Sequence, residues 1–369
     1  MRIQHATEMP SAELKQFMCA AVQRRRDDDG FRGSRGGKSR NAMDLDSDAG
    51  NRLVCVTGGV SYLGRAIVKR LLVHGYSVRI VVDCPEDKVK VSEMEADAET
   101  ASFSNRIASV VSRLTETESL IKAFDGCAGV FHTAAFVDPA GISGYSKSMA
   151  ELEAKVSENV IEACTRTGSV RKCVFTSSLL ACAWQDSSFN SLDQYSVINE
   201  ESWSDEQLCI DNKLWYALGK LRAEKAAWRI ADSKGLRLAT ICPALITGPD
   251  FFNRNSTSTL AYLKGAKEMY SNGLLATMDV NRLAKAHVCL WEGLGNKTAF
   301  GRYICFDTIL SKDGAEKLAK DIDVQIEKIC GSSDSDANAE DSRPNLQTIS
   351  DKKLLDLMSR TLRSCYHES

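Results

Sequence analysis

The sequence predicts an α/β protein with a doubly wound parallel sheet and a smaller C-terminal lobe. Apolar, β-branched runs alternate with segments of helical periodicity from residue 52 to about residue 243, and this alternation is typical of βαβ units. The strand-like runs are apolar throughout, which indicates strands covered on both faces of the sheet. A glycine-rich turn follows the first run, where sheets of this kind bind phosphate groups.

The alternation continues element by element along the chain. The strand-like runs are, in order, RLVCVTGG, YSVRIVVD, RIASVVSRL, AGVFHTAAF, KCVFTSS and LRLATICPALITGP. The helical segments are SYLGRAIVKRLLVHG, EDKVKVSEMEADAE, TETESLIKAF, MAELEAKVSENVIEACTRTG and LWYALGKLRAEKAAW. Shorter elements follow, so we predict a Rossmann-type nucleotide-binding domain over residues 51–242 and a substrate-binding lobe over residues 243–369.

Residues 1–50 form a separate, charged segment. The stretch RRRDDDGFRGSRGGKSR is glycine-rich and without periodicity, so the extension is predicted to be disordered and is the candidate for contact with a protein partner. The segment lacks the apolar core of a secretion signal, and its acidic residues argue against a transit peptide. A cytoplasmic location is therefore expected.

Composition excludes several classes of function. The 47 basic and 49 acidic side chains nearly balance, which disfavours binding to nucleic acid or to an anionic membrane. No apolar run approaches the roughly 18 residues of a membrane span. The 13 cysteines include no CxxC pair and the five histidines are dispersed, so no metal site is predicted. We expect the cysteines to be buried, reduced thiols.

The turn VTGGVSYLG is the first candidate site. A strand, a glycine-rich turn and a helix N-terminus present backbone N–H groups and a positive dipole end to a pyrophosphate. Gly58, Gly59 and Gly64 fit this pattern, while Ser61 stands where a third glycine is common. The alternative interpretation is a tight turn without a ligand.

Asp83 ends the second strand, 19 residues beyond Gly64. An acidic side chain at this point typically accepts hydrogen bonds from the adenosine ribose and repels a 2′-phosphate. This residue therefore favours NAD over NADP. The alternative is that Asp83 caps the next helix.

Tyr216 and Lys220 are four residues apart in a predicted helix, and Ser178 is the last residue of the strand-like run KCVFTSS. Residues at this spacing share one helix face, so the lysine is expected to lower the pKa of the phenol. The phenol could then donate a proton to a carbonyl oxygen that the serine holds, while Lys220 also reaches the nicotinamide ribose, so Tyr216 and Lys220 count among the predicted coenzyme-binding residues as well. The alternative is a Tyr/Lys pair on a solvated surface. His132 is expected to be a buried core histidine rather than a base.

Six segments between residues 52 and about 310 carry a family resemblance. They are VCVTGGVSYLG, FDGCAGVFHTAAF, RKCVFTSS, EESWSDEQLC, LWYALGKLRAEKAAW and ICPALITGP. In this order they resemble the plant cinnamoyl-CoA reductase and dihydroflavonol reductase group of extended short-chain dehydrogenases/reductases. The resemblance implies NADPH as coenzyme, Ser178, Tyr216 and Lys220 as the catalytic triad, and phenylpropanoid thioesters as the substrate class. It also implies a coenzyme site formed by Gly58, Leu63, Gly64, Thr133, Ala134, Pro243, Ile246 and Ser258.

The chain departs from the family pattern where the adenosine end of the coenzyme would bind. Asp83 replaces the arginine that grips the 2′-phosphate, although Lys88 or Lys90 could compensate. The family's ADL after the third strand is SRL here, which places Arg113 and Leu114 near the adenine. Where the family has the motif NWYCYGK, this chain has LWYALGK, so the residues associated with the substrate also differ.

Two functions follow from these observations. The first is an NAD(P)H-dependent reductase of an aromatic carbonyl or a CoA thioester, in which Tyr216 supplies the proton. The alternative is a regulator that binds a nucleotide with little catalysis, which the departures and the N-terminal extension favour. Turnover by the wild-type protein distinguishes the two.

Overall fold

The computed structural model describes residues 52–135, 145–185, 197–331 and 347–365, with side chains to residue 360. These residues belong to one compact unit. The predicted N-terminal extension and most of the predicted loop GSSDSDANAEDSRPN lie outside the described residues.

A seven-stranded sheet forms the centre of the fold. Its strand order is β10-β7-β5-β4-β1-β2-β3, and every neighbouring pair is parallel. The strands of the described residues are β1 Leu53–Thr57, β2 Ser77–Val82, β3 Ile107–Val111, β4 Gly129–His132, β5 Lys172–Thr176, β6 Val197–Ile198, β7 Arg237–Pro243, β8 Leu245–Thr247, β9 Ala276–Asp279, β10 Gly301–Cys305, β11 Thr308–Ile309 and β12 Thr348–Ile349. The order reverses between β1 and β4, which is where doubly wound sheets bind their ligands.

The α-helices of the described residues cover both faces of this sheet. They are α1 Tyr62–Val73, α2 Lys88–Ala96, α3 Thr117–Phe124, α4 Lys147–Arg166, α5 Leu180–Ala183, α6 Glu206–Asp211, α7 Trp215–Lys234, α8 Phe251–Tyr262, α9 Ala266–Ser271, α10 Val280–Gly295, α11 Lys312–Asp321, α12 Glu327–Cys330 and α13 Lys352–Cys365. One apolar core packs α1 and α10 against the sheet, and a second packs α3, α4 and α7. The predicted doubly wound parallel sheet is confirmed.

Two elements differ from the sequence prediction. The run LRLATICPALITGP forms two strands, because β7 ends at Pro243 and β8 pairs with β9 in a separate three-stranded sheet. The last strand of the main sheet, β10, comes from beyond residue 242 and pairs with β7. The sheet therefore takes one strand from the predicted substrate lobe.

The described residues form neither a membrane-spanning helix nor a metal-binding cluster. None of their helices has both the length and the apolar character needed to cross a bilayer. Within the same residues, no three His, Cys, Asp or Glu side chains form a group that could hold a metal ion. The described cysteines are all free thiols, and most of them are buried.

Candidate active site

A cleft opens at the carboxyl edge of the main sheet, beside the reversal of strand order. It is bounded by the segments that follow β1, β4 and β5, together with α7 and α8. Nine of the predicted site residues line it, namely Ser61, Leu63, Thr133, Ser178, Tyr216, Lys220, Pro243, Ile246 and Ser258. Residues from distant parts of the sequence thus meet at one surface. Their roles stay predictions.

The glycine-rich turn lies at one end of this cleft. Gly58 adopts φ +70°, and a Cβ at this position would lie 2.8 Å from the backbone of Ala134. The Ser61 side chain caps α1 by accepting a hydrogen bond of 3.1 Å from the N–H of Gly64. The turn therefore packs its backbone closely against the segment after β4 and leads directly into the N-terminus of α1, where backbone N–H groups can bind a pyrophosphate.

Replacing Gly58 with alanine should weaken coenzyme binding at least about tenfold, because the new Cβ combines a left-handed backbone with a contact against Ala134. The measurement is a fluorescence titration of NADPH. Gly235→Ala is the matched control, since Gly235 also has φ +70° but its Cβ would meet nothing within 4 Å. Equal binding by the two variants would contradict a role of the turn in holding the coenzyme.

The predicted adenosine-binding residues lie outside the cleft lining, at the ends of the two neighbouring strands. Asp83 directly follows β2 and is exposed, and Lys88 begins α2. Asp83 does not cap the next helix, because Cys84 and Asp87 occupy the cap positions. This leaves its carboxylate at the edge of the sheet where the sequence predicted contact with the ribose.

The segment after β3 supplies the other two predicted adenosine-binding residues. The exposed Arg113 pairs with Glu116 at 3.3 Å, while Leu114 is buried with an exposed fraction of 5%. Arg113 is therefore the member of this pair that can reach a ligand, and Leu114 contributes to the wall behind it.

Two consecutive serines follow β5, and their hydroxyls differ in their partners. Ser177 donates a hydrogen bond of 2.7 Å to the buried carboxylate of Glu224. The Ser178 oxygen instead accepts a hydrogen bond of 3.2 Å from the N–H of Leu180, so its own proton stays available for a substrate. This geometry favours Ser178 over Ser177 as the residue that holds a carbonyl oxygen.

Tyr216 and Lys220 lie on one face of α7, as the spacing predicted. The Lys220 ammonium is 5.8 Å from the centre of the Tyr216 ring. It also donates a hydrogen bond of 2.6 Å to Glu153 on α4, and both of these charged side chains are almost completely buried. The ring of Tyr216 packs edge-on against Tyr145, with the ring centroids 5.1 Å apart.

Lys220 lowers the pKa of Tyr216 as expected, but the net shift of this pKa is upward. Burial raises the pKa of Tyr216 above its ordinary value, and the opposing charge of Lys220 does not overcome this. The carboxylate of Glu153 adds to the upward shift, because a nearby negative charge disfavours phenolate. Burial opposes the charge of Lys220 as well, but Glu153 and Tyr216 raise the pKa of Lys220 and keep it protonated.

His132 occupies the core beneath the cleft, as the sequence led us to expect. Its Nδ1 is 2.7 Å from the Thr57 hydroxyl. Burial, with a contribution from the positive charge of Lys220, lowers the pKa of His132 to about 3. The imidazole is therefore neutral near pH 7 and belongs to the packing of β1 against β4.

Sequence reasoning missed Glu153. Its position had a signal, because Glu153 lies three residues from Ala150 and three from Val156 on the buried stripe of α4. A carboxylate on such a stripe requires a charged or hydrogen-bonding partner. The partner could not be named from sequence alone, since Lys220 is 67 residues away.

Comparisons with known proteins show which sequences this chain is similar to. Residues 55–305 match the model of the 3-beta hydroxysteroid dehydrogenase/isomerase family. Cinnamoyl-CoA reductase 1 of Petunia hybrida is 36% identical over 277 residues, which cover 73% of this chain and 77% of that protein. Tetraketide alpha-pyrone reductase 1 of Arabidopsis thaliana is 31% identical over 265 residues, which cover 70% of this chain and 77% of that protein.

Solved structures show the same fold. Vestitone reductase from alfalfa superposes with a TM-score of 0.56 at 23% identity, covering 86% of this chain and 98% of that one. The yeast methylglyoxal/isovaleraldehyde reductase Gre2, solved with NADPH, gives a TM-score of 0.59 at 20% identity and covers 83% of this chain and 93% of its own. At these identities the likeness concerns the fold.

Proposed function

The chain belongs to the 3-beta hydroxysteroid dehydrogenase/isomerase family of extended short-chain oxidoreductases, and we propose that it reduces an aromatic carbonyl compound or a CoA thioester with NADPH. The observation that carries this proposal is the meeting of Ser178, Tyr216 and Lys220 in one cleft beside the glycine-rich turn. These groups come from β5 and α7, and the turn comes from β1.

The residues present fit a nicotinamide dinucleotide. Gly58 can pack closely against Ala134 because it lacks a Cβ, and the turn leads into the N-terminus of α1, which presents its positive dipole end there. The relatives with at least 31% identity include named reductases, which supports the same coenzyme class. When bound, NADPH supplies the hydride.

The chain's own residues would handle the proton and the oxygen. Tyr216 donates its proton to the carbonyl oxygen as negative charge develops there. Ser178 orients this oxygen through its hydroxyl, and the Lys220 ammonium favours the phenolate that remains. With a thioester, collapse of the resulting thiohemiacetal releases CoA and an aldehyde. With a ketone, the alcohol is the product.

The substrate class rests on the named relatives. Three of them, in Petunia, Arabidopsis and rice, are cinnamoyl-CoA reductases at 33–36% identity, which supports a phenylpropanoid-type substrate. The three departures in the motif LWYALGK, at Leu214, Ala217 and Leu218, are buried in the apolar core rather than in the cleft lining. They change the packing behind the helix, so they do not argue against this class.

The test is a panel of hydroxycinnamoyl-CoA thioesters, aromatic aldehydes and aromatic ketones, with NADPH consumption followed by absorbance. We expect at least one member to be reduced, with the thioesters tried first. Binding of NADPH without reduction of any member would contradict the reductase and favour the nucleotide-binding regulator.

Replacing Asp83 with arginine should raise the affinity for NADPH relative to NADH by about tenfold or more. The change exchanges repulsion of the 2′-phosphate for attraction at the end of β2, and each factor of ten corresponds to about 1.4 kcal/mol. Parallel fluorescence titrations of the two coenzymes measure the ratio.

The control for this prediction is Asp125→Arg. Asp125 is also exposed but precedes β4, at the opposite edge of the sheet, so the variant changes the total charge equally and should leave the ratio unaltered. An unchanged ratio in Asp83→Arg would show that the adenosine ribose does not lie beside this residue.

A further inference from the structure

A buried ion pair lies directly behind the predicted proton donor. The Lys220 ammonium and the Glu153 carboxylate are 2.6 Å apart, and only 4% and 3% of these two side chains are exposed. Tyr145 completes the group, because it packs against the Tyr216 ring and the negative charge of Glu153 adds to the rise of its pKa that burial causes. We call Tyr145, Glu153, Tyr216 and Lys220 the Glu153 cluster.

The burial of the cluster makes its two charges energetically unfavourable. The cluster lies where α4 packs against α7, and the apolar side chains that pack with its two tyrosines include Met149, Ala150, Trp215 and Ala261. Removing a carboxylate and an ammonium from water costs several kcal/mol for each ion, and an apolar pair of similar size often serves stability as well or better. Stability alone therefore does not account for Glu153.

Helices α4 and α7 pack closely enough to keep Lys220 in contact with Glu153. A Cβ on Gly219 would lie 2.9 Å from the Tyr145 hydroxyl and 3.1 Å from the Cα of Ala150. Gly219 precedes Lys220 directly, so the close approach at this glycine brings the lysine against α4. The ammonium consequently has a fixed counterion.

The other titratable groups around the cluster are neutral near pH 7. His132 faces Lys220 from β4, and burial together with the charge of Lys220 lowers its pKa to about 3. Tyr262 on α8 faces Tyr216, and burial raises the pKa of Tyr262 well above its ordinary value. Burial likewise raises the pKa of Tyr145. Among the described residues, Glu153 is thus the carboxylate that acts on both Tyr216 and Lys220.

We propose that Glu153 is a positioning residue of the reaction: its carboxylate fixes the Lys220 ammonium against α4 and sets how much positive charge the ammonium presents to Tyr216. The inference rests on the proposed reductase function only where it predicts how the rate of reduction depends on pH. The negative charge of Glu153 partly offsets the positive charge of Lys220. Tyr216 therefore stays protonated to a higher pH than it would beside an ammonium without this counterion.

Glu153→Gln tests this directly. Glutamine retains the size and a hydrogen-bond acceptor but removes the negative charge that raises the pKa of Tyr216, so this pKa falls while Lys220 is protonated. Reduction needs protonated Tyr216 and is lost as the pH rises through this pKa. The alkaline limb of the rate of reduction should therefore move to lower pH, by about one unit.

A second readout needs neither substrate nor coenzyme. The ultraviolet absorbance change on ionisation of Tyr216 is obtained as the difference between a protein with Tyr216 and the same protein carrying Tyr216→Phe, titrated with alkali. This difference titration should move to lower pH by the same amount in the Glu153→Gln background. If no substrate is ever found, the proposed function fails, while this titration still decides the role of Glu153.

Glu158→Gln is the matched control, since Glu158 lies on the same helix, pairs with Arg229 at 2.9 Å and is partly exposed. It should move neither curve. Glu153→Asp keeps a carboxylate one methylene further from the ammonium, so a smaller shift in the same direction is expected, and this variant serves if Glu153→Gln does not fold. Unmoved curves in the folded Glu153 variants, or a shift to higher pH, would overturn the proposal.

Discussion

Replacing Tyr216 with phenylalanine should lower the rate constant for carbonyl reduction by about 10²- to 10⁴-fold, the range that a positioned general acid contributes. The substitution removes the phenol oxygen, while the ring keeps its packing against Tyr145. The measurement is kcat at saturating NADPH with the best substrate of the panel. NADPH affinity should change little, because the glycine-rich turn is untouched.

Tyr303→Phe is the control for this prediction. Tyr303 is buried, and its hydroxyl accepts a hydrogen bond of 3.1 Å from the N–H of Phe300. That variant loses about 1 kcal/mol of stability but should retain kcat, because β10 contributes nothing to the cleft lining. Reduction by Tyr216→Phe at the rate of the parent would assign the proton transfer to another group.

The sheet was predictable because its information is local. Each buried strand is a short apolar run and each helix has its own periodicity, so KCVFTSS predicts β5 without reference to any partner. The end of β7 was not predictable in this way. ICPALIT is apolar on both sides of Pro243, and the division into β7 and β8 depends on which strands pair across space.

The positions of the candidate catalytic residues were predictable from their spacing and from their places relative to the strands. Tyr216 and Lys220 share a helix face because they are four residues apart, and Ser178 follows a strand that ends at the same edge of the sheet. The net pKa of Tyr216 depends as well on its burial and on a third group, Glu153, that lies on another helix. Pairwise reasoning along one helix predicted the lowering by Lys220 but could include neither the burial nor Glu153, which together raise this pKa.

A second buried carboxylate shows the same limit of sequence reasoning. Glu224 lies on α7, one turn beyond Lys220, and is fully buried. Its oxygens accept hydrogen bonds from Ser177 at 2.7 Å, from Thr240 at 2.6 Å and from Arg302 at 2.8 Å. These hydrogen bonds join α7 to β7, to β10 and to the turn at Ser177 and Ser178, which we call the serine turn. Arg302 is the residue that connects β10 to Glu224.

Arg302 is therefore expected to have the largest effect on stability among the charged residues discussed. Its guanidinium stacks on Trp203, 3.5 Å from the ring centre, and also donates to the backbone oxygens of Glu200 and Ser202. Arg302→Met keeps much of the side-chain volume but leaves the Glu224 carboxylate buried without its counterion. We expect the free energy of unfolding to fall by about 3–5 kcal/mol, measured by urea denaturation.

The comparison that isolates the buried charge uses two further variants. Arg166→Met breaks an ion pair with Glu118 in which the side chains are 45% and 73% exposed, so water replaces the lost partner and the expected loss is under about 1 kcal/mol. In the double variant Arg302→Met/Glu224→Gln the unpaired charge is gone, and part of the stability should return. If Arg302→Met lost no more than Arg166→Met, or if the double variant were less stable than Arg302→Met, the stranded carboxylate would not be the cause. Recovery in the double variant would show that Arg302 is needed because Glu224 is charged, and that the charge anchors β10 and the serine turn to the helix carrying Tyr216.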